Sequence, residues 1–261
     1  MNTTMDPALN LARQSLYRFA SLALADPRTG NYEQLAELRG SRLLDEAAEL
    51  IRGEPAATPD DLARGERPSS ELDPRRVLRC LPASPDELNA QYERTFGLLV
   101  SNACPPYETE YINGKFTFQR SNALADVAGF YKAFGLRPSA SHPDRSDHIV
   151  LELDFMARLI ALEEAAHTND SQGDDNRAEI CRDAQARFLR EHAAWWMPAF
   201  CKLVGLQNPD SIYAAAGEFL AALIPVERGL LSIPAPTGDP SQDTIERPEE
   251  CEGCALVQLD S

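Results

Sequence analysis

The sequence predicts an all-α protein, with a single helical domain over residues 1–231 and a mobile, acidic C-terminal tail over residues 232–261. Apolar residues recur at intervals of three and four along most of the chain, which is the spacing of one helix face. No run of residues alternates between apolar and polar in the manner of a strand, and the chain has only seven valines. A composition of 43% hydrophobic and 25% charged residues is that of an ordinary globular protein.

The first predicted helix begins at Asp6-Pro7, a capping residue followed by a proline at the first helical position. Its apolar positions step by three and four along one face: Leu9, Ala12, Leu16, Phe19 and Ala23. A second helix is predicted over residues 31–51. Its inward-facing residues are predicted to be Leu35, Leu43, Ala47 and Leu50.

The third predicted helix begins at Ser84-Pro85-Asp86-Glu87, which fits a capping box in which Ser84 accepts from the backbone and Glu87 reaches back. Leu88, Tyr92 and Phe96 follow along one stripe. A fourth helix is predicted over residues 122–134. Gly135 is well placed to end it in the left-handed conformation.

The fifth predicted helix runs from about Ser146 to Ala166 and carries two interleaved apolar stripes. One consists of His148, Leu151, Phe155, Leu159 and Leu162, and the other of Ile149, Leu153, Met156 and Ile160. Together they form an apolar arc wide enough for a central helix. Further helices are predicted over residues 178–194, 198–205 and 209–224, the last ending before Pro225.

Two segments inside the domain have the composition of loops, residues 53–75 and 168–177. From residue 232 onward the chain is rich in proline and has seven acidic residues against one basic residue. We expect this tail to be mobile, and we expect removal of the chain after Pro225 to leave the fold nearly unchanged.

Charge and motifs exclude several classes of function. The net charge of −16 disfavours nucleic acid as a partner, since such proteins present a basic face. The longest apolar runs, such as residues 219–224, are far shorter than the roughly 20 residues of a membrane span, so we expect no membrane insertion. The first 14 residues do not resemble a signal peptide, so we expect a cytoplasmic protein.

Enzymatic chemistry has little support in the sequence. A phosphate-binding glycine loop, a His-Glu-x-x-His pair and a Gly-x-Ser-x-Gly elbow are all absent, and the four histidines are far apart. Cys251 and Cys254 provide two thiols at metal-ligand spacing, but a structural zinc or cluster site needs four ligands. An inert thiol pair is favoured over a metal site, and both interpretations stay open.

Two further segments are candidates for binding. In Cys104-Pro105-Pro106-Tyr107-Glu108-Thr109-Glu110-Tyr111, the prolines fix the backbone and predict a rigid connector. Its tyrosines either pack on the core or line a binding loop. In the second segment, Asp147 is expected in the first turn of the fifth helix, where the helix dipole favours a carboxylate. His148 and Glu152 are four residues apart and share a face, so they are expected to pair or to belong to a site.

These motifs together resemble the TorD/DmsD/NarJ family of chaperones for molybdenum redox enzymes. The run from Asp147 to Met156, DHIVLELDFM, resembles the family's Asp-His-x-x-x-Glu-Leu-x-Phe-Met pattern. Pro105-Pro106-Tyr107-Glu108, with Tyr111, resembles its Pro-Pro-aromatic loop. Tyr92 and Phe96 resemble its aromatic-x-x-Leu-Phe motif, from which Thr95 departs at the leucine position. The resemblance covers roughly residues 7–225.

The resemblance implies a TorD-like helical protein without catalytic activity. Members bind the apo catalytic subunit of a molybdoenzyme, often through its twin-arginine leader, and delay export until the cofactor is inserted. No tightly bound cofactor is implied, only transient contact with molybdopterin guanine dinucleotide. The client-binding residues carried over are Tyr92, Phe96, Pro105, Pro106, Tyr107, Glu108, Asp147, His148 and Glu152. The alternatives are a metal- or redox-active protein using Cys251 and Cys254, and a helical scaffold with neither role.

Overall fold

The computed structural model describes residues 5–57, 61–97, 103–112, 117–137, 145–168 and 174–236. Within these ranges the chain forms ten α-helices and no paired strand, apart from one isolated bridge, which confirms the predicted all-α class. No helix in the described part is long and apolar enough to cross a membrane. The helices are α1 (Pro7–Leu24), α2 (Asn31–Leu38), α3 (Leu43–Arg52), α4 (Pro74–Arg79), α5 (Pro85–Phe96), α6 (Thr117–Ala133), α7 (Ile149–Thr168), α8 (Asp174–Phe188), α9 (Met197–Gln207) and α10 (Ile212–Leu230).

The hydrophobic core is built around α1, which packs against both α7 and α10. Helix α1 packs along α7 and against α3 and α10, while α7 also packs against α8. The predicted start of α1 is confirmed, since the Asp6 carboxylate accepts a hydrogen bond from the Ala8 amide at 2.8 Å and Pro7 is the first helical residue. All five residues of its predicted apolar face are buried: Leu9, Ala12, Leu16, Phe19 and Ala23.

Helix α5 also starts as predicted. The Glu87 amide donates to Ser84 Oγ at 3.3 Å, and the Glu87 carboxylate accepts from the Ala83 amide at 3.0 Å. Gly135 ends the predicted fourth helix at a φ of 72°, as expected. That helix, α6, starts at Thr117, five residues earlier than predicted.

The predicted helix over residues 31–51 is wrong as a single element, because the chain breaks into α2 and α3. In the break, the Arg39 guanidinium donates to the carbonyl oxygens of Leu78 and Leu81 at the end of α4. Because α3 begins anew at Leu43, its buried face is not a continuation of the buried face of α2. Leu43 and Leu50, predicted to face inward, are therefore exposed, and the residues that α3 buries are Leu44, Ala47, Ala48 and Ile51.

Both predicted loops contain helical structure. Within residues 53–75 lie two short 3₁₀ turns, Pro55–Ala57 and Ser69–Glu71, and the first two residues of α4. Asp73 caps α4 by accepting from the Arg76 amide at 3.2 Å, with a proline next in the chain as in α1. In the second loop, α8 begins at Asp174, because polar composition does not prevent a helix that packs along α7.

The prediction that the last helix ends before Pro225 is wrong, since α10 continues to Leu230. A proline inside a helix leaves the carbonyl four residues earlier without its amide donor. Here that carbonyl belongs to Ala221, and it accepts a hydrogen bond from the Arg67 amide at 2.9 Å. A segment distant in sequence thus supplies the donor that Pro225 lacks.

A buried ion pair joins the first and last helices. Arg13 Nε and Nη2 donate to the two carboxylate oxygens of Glu227 at 2.9 and 2.7 Å, and both side chains are fully buried. Asn10 and Gln185 accept further bonds from the same guanidinium at 3.0 and 2.9 Å. Nearly every polar atom of the pair is therefore satisfied, as a buried pair requires.

A second buried ion pair follows directly in α10. Arg228 binds the Glu66 carboxylate at 2.8 and 2.6 Å and also donates to the carbonyls of Asp61 and Ile233. This pair ties the segment before α4 to the last helix. Cutting the chain after Pro225 removes both Glu227 and Arg228, so the expectation that this cut is harmless is wrong.

Removing one partner of the Arg13–Glu227 pair leaves an uncompensated charge in the core. We expect Glu227→Ala to lower the free energy of unfolding by about 3–5 kcal/mol. We expect the double variant Arg13→Met/Glu227→Leu to recover most of that loss, since an apolar pair fills the same space without a charge. Denaturant unfolding of the two variants measures both effects.

The exposed pair Arg42–Glu46, whose side chains are 73% and 63% exposed, provides the matched control. We expect Glu46→Ala to change the free energy of unfolding by no more than about 0.5 kcal/mol. Equal losses in Glu227→Ala and Glu46→Ala would contradict the central role of the buried pair.

Candidate functional site

The Pro-Pro loop is held against the N-terminus of α7 by two main-chain hydrogen bonds. The Ile149 amide donates to the Pro106 carbonyl at 2.9 Å, and the Glu108 amide donates to the Asp147 carbonyl at 3.0 Å. These bonds form the one isolated antiparallel bridge of the described structure, between Tyr107 and His148. The loop therefore satisfies one of the amides that a helix N-terminus leaves without an intrahelical partner.

Asp147 is buried and lies before α7, not in its first turn as predicted. Its carboxylate accepts from the Thr109 amide at 3.1 Å and the Thr109 hydroxyl at 2.8 Å. Arg145 donates to both carboxylate oxygens, at 3.0 and 2.7 Å. Asp147 thus stabilises the Pro-Pro loop and not the helix dipole, because its oxygens are turned toward Thr109.

On the outer side of this junction, the rings of Tyr107 and His148 meet edge to face at a centroid distance of 5.1 Å. The Arg145 guanidinium lies 4.4 Å from the centroid of the half-buried Tyr107 ring, within cation–π range. His148 Nδ1 accepts from the Val150 amide at 3.2 Å, so the imidazole also caps α7. These contacts hold Tyr107 in one orientation at the surface.

Behind the loop, two buried carboxyl groups face the two tryptophans of the chain. Glu108 accepts from Trp195 Nε1 at 3.1 Å and lies 3.1 Å from His192 Nδ1. Glu152 accepts from Trp196 Nε1 at 3.1 Å. The expected pairing of His148 with Glu152 is therefore wrong, since Glu152 is directed into the core.

Burial raises the pKa of both carboxyl groups. At Glu152 the pKa lies well above its ordinary value, because the group is fully buried and Glu108 adds to the effect, while the Trp196 bond opposes it. At Glu108 burial again dominates, and the bonds from His192 and Trp195 oppose it without cancelling it. No cation among the described residues bonds to Glu152, so burial raises its pKa further than it raises the pKa of Glu108.

His192, Trp195 and Trp196 are site residues that the sequence reasoning missed. They lie on or just after a π-helical turn, Leu189–Ala193, that follows α8. The turn lies inside the helix predicted over residues 178–194, but a π-helical turn changes the helical phase, so regular spacing does not show which way its side chains point. The available signal was the sequence Glu-His-Ala-Ala-Trp-Trp, which places the only two tryptophans of the chain beside a histidine.

Tyr92 and Phe96 belong to an aromatic cluster next to this junction. Phe96 is buried and contacts the rings of Tyr213 and Phe200 at 5.3 and 6.2 Å, while Tyr92 is half-buried. Trp196 contacts Phe200 at 5.8 Å, so stacked and edge-on rings connect α5 to Trp196. Thr95, which departs from the family's leucine, is buried, and its hydroxyl accepts from Asn208 at 3.1 Å.

The nine predicted binding residues therefore fall into two groups. Tyr92, Pro105 and Tyr107 are partly exposed. The others are buried: Phe96, Pro106, Glu108, Asp147, His148 and Glu152. A binding role for the first group stays a prediction, and for the second the contacts indicate a positioning role. Cys251 and Cys254 lie outside the described residues.

Comparison with known proteins identifies relatives of this chain. The family model described as nitrate reductase delta subunit matches residues 72–202, which is half of the chain. This range contains the Pro-Pro loop, the Asp147-His148 junction and both tryptophans.

Among curated proteins, the selenate reductase assembly chaperone protein of Thauera selenatis is 35% identical over 45% of this chain and 57% of its own length. The chaperone protein TorD of Aliivibrio salmonicida is 25% identical over 54% of this chain and 62% of its own length. The chlorate reductase assembly chaperone protein of Ideonella dechloratans is 31% identical over 43% of this chain and 54% of its own length. The chain thus spans less than two thirds of each of these relatives.

The raised pKa of Glu152 predicts a pH-dependent effect of Glu152→Gln on stability. The folded state keeps the proton at pH values where the unfolded chain, near the ordinary pKa of 4.5, has lost it. Wild-type stability therefore falls as pH rises above that value, and the glutamine variant is free of this loss. We expect the variant's Tm, relative to wild type, to increase with pH from about 4.5 upward.

Glu191→Gln provides a control of opposite sign. Hydrogen bonds from Arg190 and Arg187 outweigh partial burial and lower the pKa of Glu191. The amount by which the Tm of the wild type exceeds that of Glu191→Gln should therefore decrease as pH falls. A Tm difference for Glu152→Gln that does not vary with pH would contradict a protonated Glu152.

Proposed function

The chain belongs to the nitrate reductase delta subunit family of molybdoenzyme maturation chaperones, and from this premise we propose that it binds the apo catalytic subunit of a molybdopterin-dependent oxidoreductase. It assists cofactor insertion in that subunit and delays its export. The partner's N-terminal twin-arginine leader is the segment that it recognises. The protein acts in the cytoplasm, without turnover of its own, and contacts molybdopterin guanine dinucleotide only transiently during insertion.

The observation that carries this proposal is a rigid aromatic surface at the Pro-Pro loop. Tyr107 is held by the bridge to His148, by the edge-to-face ring contact and by Arg145 over its face. An aromatic side chain that is already ordered loses little entropy when a partner binds. Exposed, pre-ordered tyrosines are the residues on which binding energy concentrates at interfaces.

Tyr92 offers a second aromatic contact near the first. Asp26 interacts electrostatically with His148, and Arg28, two residues later, interacts with Tyr92 and Glu93. The 3₁₀ turn Pro27–Thr29, which contains Arg28, packs against α5, the helix that carries Tyr92. The apolar side chains of a segment bound there would contact tyrosine rings, and its cationic side chains would contact carboxylates.

The charge of the chain suits a leader with two arginines. A net charge of −16 attracts a cationic segment over distances of about a Debye length, near 10 Å in 0.1 M salt. Association should therefore slow as salt is added. No observation among the described residues favours the alternative of a redox or metal function at Cys251 and Cys254.

The test uses a synthetic twin-arginine leader peptide from the catalytic subunit of a molybdoenzyme of the same organism. We expect Tyr107→Ala to fold with unchanged helicity and to weaken leader binding by more than about 1 kcal/mol, because its ring is a pre-ordered contact. Calorimetry at two salt concentrations measures the affinity, which should also fall at the higher salt.

Ile180→Ala, at a half-exposed apolar residue on α8, is the matched control and should bind normally. Phe155→Ala separates folding from binding. Phe155 is buried between the rings of Tyr131 and Phe188, with both centroid distances at 4.8 Å. Its replacement by alanine should lower the free energy of unfolding by about 3–5 kcal/mol. Normal leader binding by folded Tyr107→Ala would refute the proposed surface.

A further inference from the structure

Three side chains with metal-binding atoms meet where α6 passes the π-helical turn. They are Asp126 of α6 and the consecutive residues Glu191 and His192 of the turn. One carboxylate oxygen from each acid and one imidazole nitrogen lie within 4.8 Å of one another. The Asp126 side chain is 59% exposed and that of Glu191 is 33% exposed, so the cluster is open to solvent on the carboxylate side.

His192 supplies an independent indication of a ligand. Its side chain is only 4% exposed, and its Nε2 atom makes no hydrogen bond to the described residues. That atom lies 3.4 Å from Asp126 Oδ2 and is directed into the cluster. Buried polar nitrogens are rarely left without a bond, so an unbonded Nε2 that faces two carboxylates requires an explanation.

The opposite side of the imidazole is fixed. Nδ1 lies 3.1 and 3.2 Å from the two carboxylate oxygens of Glu108. The ring packs against Phe130 and Phe188 at centroid distances of 5.3 and 5.1 Å. A proton on Nδ1, donated to Glu108, leaves the lone pair on Nε2 and directs it at the cluster. A carboxylate behind a histidine is the usual outer shell of a histidine that binds a metal.

We propose that Asp126, Glu191 and His192 bind a divalent first-row transition metal, with Zn²⁺ as the ion of best fit. One imidazole with two carboxylates is a donor set that Zn²⁺ accepts, and three protein ligands leave a position for water. Glu108 is a positioning residue, because it reaches the ion only through His192. The inference does not depend on the identity of any protein partner.

The π-helical turn accounts for the use of two consecutive residues as ligands. Neighbouring side chains on a regular helix diverge by about 100°. A π turn widens the helix locally and frequently occurs at functional sites. Here it keeps His192 buried against Glu108 while Glu191, one residue earlier, reaches the same cluster from the surface.

Arg187 and Arg190 compete with the ion for Glu191. Their nitrogens lie 3.2 and 3.0 Å from its carboxylate, but both arginine side chains are more than half exposed. Such surface pairs hold their partners weakly. The two carboxylates therefore move by rotamer changes to close the 4.8 Å spread onto an ion, while the buried imidazole stays in place.

The test measures Zn²⁺ binding to the full chain with both tail thiols removed. Cys251→Ser/Cys254→Ser protein, stripped with a chelator and dialysed against Zn²⁺, should retain about one ion per chain by elemental analysis. Asp126→Asn in this background changes an exposed residue and should fold normally, yet weaken binding at least tenfold. Glu108→Gln should weaken it by about 10–100-fold, as loss of an outer-shell partner does.

Asp183→Asn removes an exposed carboxylate elsewhere on α8 and should bind Zn²⁺ as the parent does. Co²⁺ in place of Zn²⁺ should give ligand-field bands without thiolate charge transfer, since the proposed ligands are nitrogen and oxygen. His192→Ala should abolish these bands. The proposal is overturned if the chain without its two tail thiols retains no Zn²⁺, or if Asp126→Asn and Asp183→Asn bind it equally well.

Discussion

Two main-chain hydrogen bonds between the Pro-Pro loop and the start of α7 are the constraint on which the candidate site depends. With Ile149 bonded to Pro106 and Glu108 bonded to Asp147, the side chains of the loop have little freedom. Alternate residues then point to opposite sides, as in any extended pairing. Tyr107 faces outward beside His148, while Glu108 faces inward to His192 and Trp195.

This constraint divides the predicted site residues into buried residues that position the loop and partly exposed residues that are available for binding. Asp147 and Glu152, which the motif resemblance assigns to the site, are fully buried. Asp147 holds Thr109 and Arg145, and Arg145 in turn covers the Tyr107 ring. Asp147 therefore fixes the loop, whereas Glu152 accepts a hydrogen bond from the Trp196 indole in the core. The half-buried tyrosines are the groups left to make contact.

Much of the fold could be predicted because its signals are local. The caps at Asp6 and Ser84 and the apolar face of α1 depend only on neighbouring residues. The break after α2, the helical Pro225 and the position of Asp147 depend on distant partners: Arg39 bonds to α4, Arg67 supplies a donor to Ala221, and Thr109 binds Asp147. His192 lies in a predicted helix, but its role was missed because the π-helical turn changes the direction of its side chain. Residue types and spacing found the loop, but only the structure gives the direction of each side chain.

The central claim is that the outer face of the Pro-Pro loop contacts the leader of the partner enzyme. Photocrosslinking tests it most directly, with p-benzoylphenylalanine at position 107 to keep an aromatic ring there, and at position 180 on α8 as the reference. We predict that the leader peptide crosslinks at position 107 and not at 180, and that excess unlabelled leader suppresses the product while a leader lacking both arginines does not. Equal crosslinking at both positions, or a leader that binds without crosslinking at position 107, would contradict the account.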